Sequence, residues 1–121
     1  MTRPHTLTAI LPSNNLDASE KFYKKLGFEV QNQYPDYRIL SDGKGGELHL
    51  TKAVEDWLLP GRNPFGLYLY TEKVDELAAA FGSSVIHPPQ IKPWGMYEFA
   101  VSDPDETLVR VGKPASGEDA P

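Results

Sequence analysis

The order of helix and strand signals in this sequence predicts an α+β fold made of two copies of one βαβββ module. Two amphipathic segments are each preceded by one strand candidate and followed by three, and the series repeats with an offset of 58 residues, the distance from Leu16 to Val74. A sheet that covers one face with a helix leaves its other face for a second module. We therefore expect one domain over residues 1–121, with a cupped mixed sheet and both helices on its convex face.

The first module is predicted over about residues 6–52. Residues 6–12 alternate as in a strand, and Asn14 or Asn15 offers an N-cap to a helix that runs to about Leu26. Gly27 is the expected C-terminal stop of that helix. Apolar and small side chains at i, i+3, i+4 and i+7 form its buried stripe, which consists of Ser19, Phe22, Tyr23 and Leu26. Three strand candidates follow, at 28–34, 37–41 and 47–52.

The second module is predicted over about residues 65–112, after a linker at 53–64 that contains proline and glycine. A strand at 65–71 leads to a helix with the stripe Val74, Leu77, Ala78 and Phe81, which Gly82 closes. We expect a short strand near Val85 and Ile86, a proline-rich loop at 87–93, and a hairpin that turns at Asp103-Pro104-Asp105-Glu106. The polar segment 113–121 is predicted to be a flexible tail.

Composition excludes several classes of function. Lysine and arginine total 12 against 17 aspartates and glutamates, a net charge of −5 with no basic run, so we expect no nucleic-acid partner. The negative field favours a cationic ligand, although it is also common in cytosolic proteins. No cysteine is present, which removes disulfides, zinc-thiolate sites and thiol nucleophiles. The N-terminal segment lacks an apolar run, so we expect a cytoplasmic protein with no signal peptide and no membrane partner.

Four segments in order carry a resemblance to a known family: LPSNNLDASEKFYKKLGF, ELHL, NPFGLYLY and PWGMYEFAVSDPD. Together they resemble the bleomycin resistance proteins of the glyoxalase, bleomycin resistance and extradiol dioxygenase superfamily, also called the vicinal oxygen chelate superfamily. The resemblance implies a homodimer with ligand grooves at the subunit interface, which sequesters a drug that carries a bithiazole and a cationic tail. The implied function is metal-independent binding of a bleomycin-type glycopeptide, or of a similar cationic aromatic small molecule.

The resemblance also implies where metal-dependent members of the superfamily would hold their ion. The four corresponding positions are Thr8, Glu47, Gly66 and Arg110, and only Glu47 supplies a competent oxygen donor. We therefore expect no metal, no cofactor and no catalytic residue. The alternative is a metal-dependent enzyme of the same superfamily, such as a glyoxalase-like lyase or isomerase, an antibiotic thiol transferase or a dioxygenase. That alternative needs a shifted ligand set, for which His5 and His49 are the nearest imidazoles.

Strand alternation places Arg110 on the face opposite Val109 and Val111. Its guanidinium either pairs with Glu98 or Glu47, or donates to a ligand. Aromatic side chains at strand ends suit stacking on flat rings, although a tryptophan there also suits a subunit interface or a sheet edge. The predicted ligand-binding residues are Asp36, Tyr37, Glu47, His49, Trp57, Tyr68, Trp94, Glu98 and Arg110.

Overall fold

Each half of the chain folds as a four-stranded mixed sheet with one helix against one of its faces. In this computed structural model, which describes residues 5–116, the chain divides into two units, Met1–Arg62 and Asn63–Pro121. Both units run in the order strand, helix and three strands. The predicted α+β class with two βαβββ modules is confirmed.

The first unit consists of β1 (Ala9–Ser13), α1 (Leu16–Lys24), β2 (Glu29–Tyr34), β3 (Tyr37–Ser41) and β4 (Glu47–Lys52). The strand order is β1-β4-β3-β2, with β1 parallel to β4 and the other neighbours antiparallel. The Asn15 side chain caps α1 by accepting a hydrogen bond from the Ala18 N–H at 3.0 Å. Gly27 ends the turn after α1 at φ 98°, which favours glycine. Tyr23 and Leu50 are fully buried in this unit.

The second unit consists of β5 (Gly66–Tyr70), α2 (Val74–Phe81), β6 (His87–Ile91), β7 (Met96–Ser102) and β8 (Leu108–Pro114), with a short 3₁₀ turn at Gly82–Ser84 after α2. The strand order is β5-β8-β7-β6, so the second unit repeats the pairing pattern of the first, including a parallel pair, β5 and β8. Phe81 of α2 lies 6.3 Å from Phe99 of β7 between ring centroids, and Val109 and Val111 of β8 are fully buried. Apolar side chains therefore hold α2 to its sheet.

The prediction for the strand after α2 was wrong. Val85 and Ile86 precede the strand, and β6 instead occupies the segment predicted as a proline-rich loop, including Pro88 and Pro89. Proline lacks an N–H and is excluded from central strands, but β6 lies at the edge of its sheet. The ladder with β7 is also irregular between His87 and Gln90, so the prolines lie where regular pairing is interrupted.

The remaining differences from the predictions are at element ends. β1 begins at Ala9 rather than at residue 6, and β8 runs to Pro114, past the predicted module end at 112. Of the predicted tail 113–121, residues 117–121 lie outside the described part of the chain. Within residues 5–116, no helix combines the length and apolar character that crossing a membrane requires.

Candidate functional site

The two faces of the second sheet carry different chemistry, because side chains alternate along each strand. Tyr97 donates a hydrogen bond to Asp75 of α2 (OH to Oδ1, 2.6 Å), and Phe99 packs on Phe81, so these strand residues face the helix. The alternate residues lie on the face that α2 does not cover, which we call the open face of this unit. They are Gly66, Tyr68, Tyr70, Met96, Glu98, Ala100, Leu108, Arg110 and Gly112.

A buried carboxylate is the centre of this open face. Glu98 is fully buried, and its Oε1 accepts hydrogen bonds from the Tyr68 hydroxyl at 3.0 Å and from the Trp94 indole Nε1–H at 2.8 Å. Arg110 completes the group, with its Nε 3.8 Å from Glu98 Oε2. We call Glu98, Tyr68, Trp94 and Arg110 the Glu98 cluster. Its ion pair confirms one of the two partners predicted for Arg110.

Trp94 reaches Glu98 because the chain turns just before β7. The Gly95 N–H donates to the Lys92 carbonyl at 2.9 Å, and Gly95 has φ 83°, a conformation that favours glycine. This turn directs the N–H edge of Trp94 to the carboxylate four residues ahead. The indole is nevertheless 55% exposed, so its ring presents surface for stacking.

Two cations of the protein itself lie near the Trp94 ring. The Arg110 Cζ is 5.6 Å and the Lys92 Nζ 5.7 Å from the ring centroid, both within cation–π range. A positively charged ligand group at this ring would meet those two charges. The ring therefore suits an uncharged flat group better than a cationic one.

Tyr68 is held in its hydrogen-donating form. Burial, the hydrogen bond to Glu98 and the charge of Glu98 together raise the pKa of Tyr68 well above its ordinary value. Its ring also lies 4.6 Å from that of Tyr70 between centroids, and Tyr70 is 67% exposed. The hydroxyl therefore remains a donor to Glu98 at physiological pH, and Tyr70 extends the aromatic surface.

Gly112 makes room for the Glu98 cluster. A Cβ at this position would lie 2.7 Å from the Glu98 Cβ and 2.9 Å from the Tyr97 carbonyl oxygen, and it would overlap the Tyr68 hydroxyl. Gly112 pairs directly with Glu98 in the β7–β8 ladder. Only a residue without a side chain allows Tyr68 to reach the carboxylate here.

The first unit carries a smaller polar group on the face away from α1. The Tyr37 hydroxyl lies 2.6 Å from His49 Nδ1, and the Thr8 hydroxyl donates to Glu47 Oε2 at 3.3 Å. All four side chains are half-buried or at strand ends. The structure thus brings Tyr37, Glu47 and His49 onto one sheet face.

Two of the predicted ligand-binding residues lie outside these two groups. Asp36 is exposed in the turn between β2 and β3, where its carbonyl accepts from the Lys52 N–H at 2.9 Å. Trp57 is 67% exposed in the segment after β4, where its backbone N–H donates to the Val54 carbonyl. Their roles in binding remain predictions.

The family-level comparison agrees with the repeated module. Residues 3–111 match the model of the Glyoxalase/Bleomycin resistance protein/Dioxygenase superfamily. The chain belongs to this superfamily. A bleomycin resistance protein from Klebsiella pneumoniae is 30% identical over 118 residues, which cover 86% of this chain and 88% of that protein.

Two solved structures of the superfamily are similar to this chain over 93% of its length and 100% of theirs. One is a bleomycin-binding protein complexed with bleomycin, with 26% identity and a TM-score of 0.78. The other is a bleomycin resistance determinant encoded on a transposon, with 26% identity and a TM-score of 0.79.

The positions that the superfamily's metal-dependent members use carry other contacts in this chain. Thr8 and Glu47 are hydrogen-bonded to each other, Gly66 has no side chain, and Arg110 brings a positive charge. Among residues 5–116, no three histidine, aspartate or glutamate side chains converge in a way that would hold a metal ion. The donor chemistry at these superfamily positions thus does not fit a divalent cation.

Sequence reasoning missed the roles of two residues near the Glu98 cluster. Lys92 is placed in a loop, as predicted, but its approach to Trp94 was not foreseen, although Pro93 and Gly95 at the second and fourth positions are a signal for a tight turn there. Gly112 is given no role in the sequence analysis. A glycine inside a strand that pairs on both sides is a signal for close approach of neighbouring groups.

Proposed function

We propose that the chain binds a bleomycin-type glycopeptide, or a similar cationic aromatic small molecule, and sequesters it unchanged. The observation that carries this proposal is the exposed Trp94 indole, fixed at its edge by the buried Glu98. A flat ring that stacks on such an indole gains about 0.5 to 1.5 kcal/mol beyond area burial. The similar protein whose structure holds bleomycin supports the choice of ligand.

The charges of the chain favour different positions for the flat ring and the cationic tail of such a ligand. Lys92 and Arg110 near Trp94 favour an uncharged ring with carbonyl or nitrogen acceptors. The net charge of −5 attracts a cationic tail to the protein as a whole, with exposed Asp36 among the acidic side chains. The bithiazole is therefore proposed to stack on Trp94, with the tail directed away from Arg110.

Metal independence and a homodimeric groove are further parts of the proposal. Metal independence is supported by the donor chemistry at Thr8, Glu47, Gly66 and Arg110, where only one carboxylate is available. The groove is proposed to lie at the interface of two subunits, as the resemblance to the bleomycin resistance proteins implies. Light scattering coupled to gel filtration tests this part, and a single-subunit mass at micromolar concentration contradicts it.

The first experiment is isothermal titration of bleomycin, metal-free and copper-loaded, into metal-stripped protein. We expect saturable binding of about one ligand per subunit, weakened about tenfold by Trp94→Ala, since stacking and burial of the ring are both lost. Trp57→Ala is measured alongside it, because Trp57 is the other tryptophan of the chain, is also exposed and is itself a predicted ligand-binding residue. Flat heats for the unmodified chain contradict the proposed ligand, and a loss confined to Trp57→Ala contradicts the proposed face.

Two further measurements test whether the ligand is left unchanged and whether binding needs a metal ion. Mass spectrometry of bleomycin recovered from the complex is expected to show the unaltered drug, whereas a modified product indicates an enzyme. Affinity is expected to be the same with chelator and with added divalent cation. A requirement for the cation would favour the metal-dependent alternative within the superfamily.

A further inference from the structure

We propose that Glu98 is the positioning residue of the ligand-stacking ring. Its buried carboxylate holds the Trp94 indole in a fixed orientation, so ligand affinity depends on a side chain that the ligand does not touch. This inference rests on the proposed function, because it assigns Trp94 the stacking role. It adds a determinant of affinity that lies beneath the surface.

The geometry points to Glu98 because the rest of the Trp94 side chain is held loosely. The indole is 55% exposed, and its neighbours Lys92 and Arg110 are long flexible cations at 5.6 to 5.7 Å. An exposed tryptophan with such contacts samples several rotamers. One charge-assisted hydrogen bond of 2.8 Å to a fully buried acceptor removes that freedom before the ligand arrives.

The carboxylate is itself held in place by Tyr68, Gly112 and Arg110. Tyr68 donates to the same Oε1 at 3.0 Å, and Gly112 leaves the space that this contact needs. Glu98 Oε2 is buried with no hydrogen-bond partner among residues 5–116, and the Arg110 Nε at 3.8 Å is its ion-pair partner. Arg110 thus balances a charge that would otherwise be buried alone, while Oε1 is committed to the indole.

The first test follows the ring without any ligand. In a Trp57→Phe background, Trp94 is the only tryptophan, so its fluorescence anisotropy and the solvent exchange of its indole N–H report on it alone. We expect a protected indole N–H in the parent protein. We expect lower anisotropy and faster exchange in Glu98→Leu, and a smaller change in Glu98→Gln, which keeps an acceptor oxygen.

The parent measurement keeps the inference falsifiable even if Glu98→Leu does not fold. An indole N–H that exchanges as fast as that of a free tryptophan overturns the inference with no substitution at Glu98. A folded Glu98→Leu protein with unchanged anisotropy and exchange overturns it as well. Both readouts are independent of bleomycin, so they stand if the proposed function fails.

The second test asks whether Glu98 acts through Trp94. Glu98→Gln is expected to weaken bleomycin binding several-fold in the parent and to have no further effect in a Trp94→Ala background. Equal losses in both backgrounds would show that Glu98 affects binding by another route and would overturn the inference. Absence of bleomycin binding in every form, together with a protected indole N–H, would instead refute the proposed function alone.

Discussion

The two units share one module but place a guanidinium on different faces of the sheet. In the first unit, Arg38 of β3 lies between sheet and helix, with Asp17 Oδ1 at 2.7 Å and Glu20 Oε1 at 2.9 Å. In the second unit, the helix side is closed by apolar side chains, and Arg110 lies on the open face with Glu98. The guanidinium of Arg38 stabilises the packing of α1 on its sheet. The guanidinium of Arg110 lies on the face that no helix covers, where its side chain is 45% exposed.

The difference follows from the composition of the two helices. α1 offers Asp17 and Glu20 toward its sheet, so a guanidinium beneath it finds two carboxylates. α2 has the sequence VDELAAAF and buries apolar side chains, and its Asp75 already accepts a hydrogen bond from Tyr97. A guanidinium beneath α2 would therefore lose its hydration beside mainly apolar neighbours. The same module therefore carries its guanidinium on the helix side of the sheet in the first unit and on the open face in the second.

The largest expected effect is the loss of stability caused by a side chain at position 112 in the second unit. Gly112→Ala places a Cβ against Glu98, Tyr97 and Tyr68, so we expect the free energy of unfolding to fall by about 2 to 3 kcal/mol. Urea denaturation measures it. Gly66→Ala on the same face is the control, since its Cβ would meet the Leu108 carbonyl oxygen at 3.3 Å and nothing closer, and the prediction fails if both variants lose equally.

The second prediction compares the two guanidinium groups directly. Arg38→Gln is expected to lower the free energy of unfolding by about 2 kcal/mol, because this side chain is 9% exposed and Glu20 loses its buried partner. Arg110→Gln is expected to cost less, about 1 kcal/mol, because the Arg110 side chain is 45% exposed and the buried Glu98 keeps its two hydrogen bonds from the cluster. Urea denaturation of the two variants side by side tests this, and equal losses would remove the distinction between a structural and an available charge.

The smallest expected effect comes from removing one tyrosine hydroxyl group in each unit and comparing the loss of stability. Tyr68→Phe removes one hydrogen bond to Glu98, and we expect a loss of about 1 kcal/mol at neutral pH. Tyr37→Phe is the matched change in the first unit, where the hydroxyl contacts His49, and we expect a smaller loss because His49 is half-buried whereas Glu98 is fully buried. Thermal unfolding of the two variants ranks them, and a larger loss for Tyr37→Phe contradicts the ranking.

The raised pKa of Tyr68 adds a pH dependence to the same prediction. Above pH 10 an unfolded tyrosine loses its proton while folded Tyr68 keeps it, so the stability contributed by Tyr68 is complete below pH 10 and declines as pH rises further. Ultraviolet titration of the phenols is expected to show one tyrosine ionising late. That late step is expected to be absent in Tyr68→Phe, and its persistence there would assign it to another tyrosine.

Local signals explain why most of the fold could be predicted from the sequence. Asn15 caps α1, Gly27 ends the turn after it, and Gly82 follows α2, each through interactions with residues close in the chain. The strand with Pro88 and Pro89 could not be predicted in the same way. Whether a proline is tolerated in a strand depends on its place in the sheet order, which is set by residues far along the chain.

The contacts of the candidate site could likewise be predicted only in part from the sequence. The pairing of Arg110 with Glu98 was predictable, because a hairpin with a recognisable turn fixes which residues of its strands share a face. The hydrogen bond from Trp94 to Glu98 was not, since it depends on the positive φ of Gly95 and on the space that Gly112 leaves. Such contacts are decided by three-dimensional clearance rather than by the spacing of residues.

The two prolines of β6 also reduce the tendency of this strand edge to pair with another molecule. β6 is the outer strand of its sheet, and Pro88 and Pro89 carry no N–H with which a strand of another molecule could pair. Under the proposed function, binding of one ligand per subunit requires as many subunits as ligand molecules. At such concentrations unprotected strand edges nucleate aggregates, and the prolines remove that hazard from this edge.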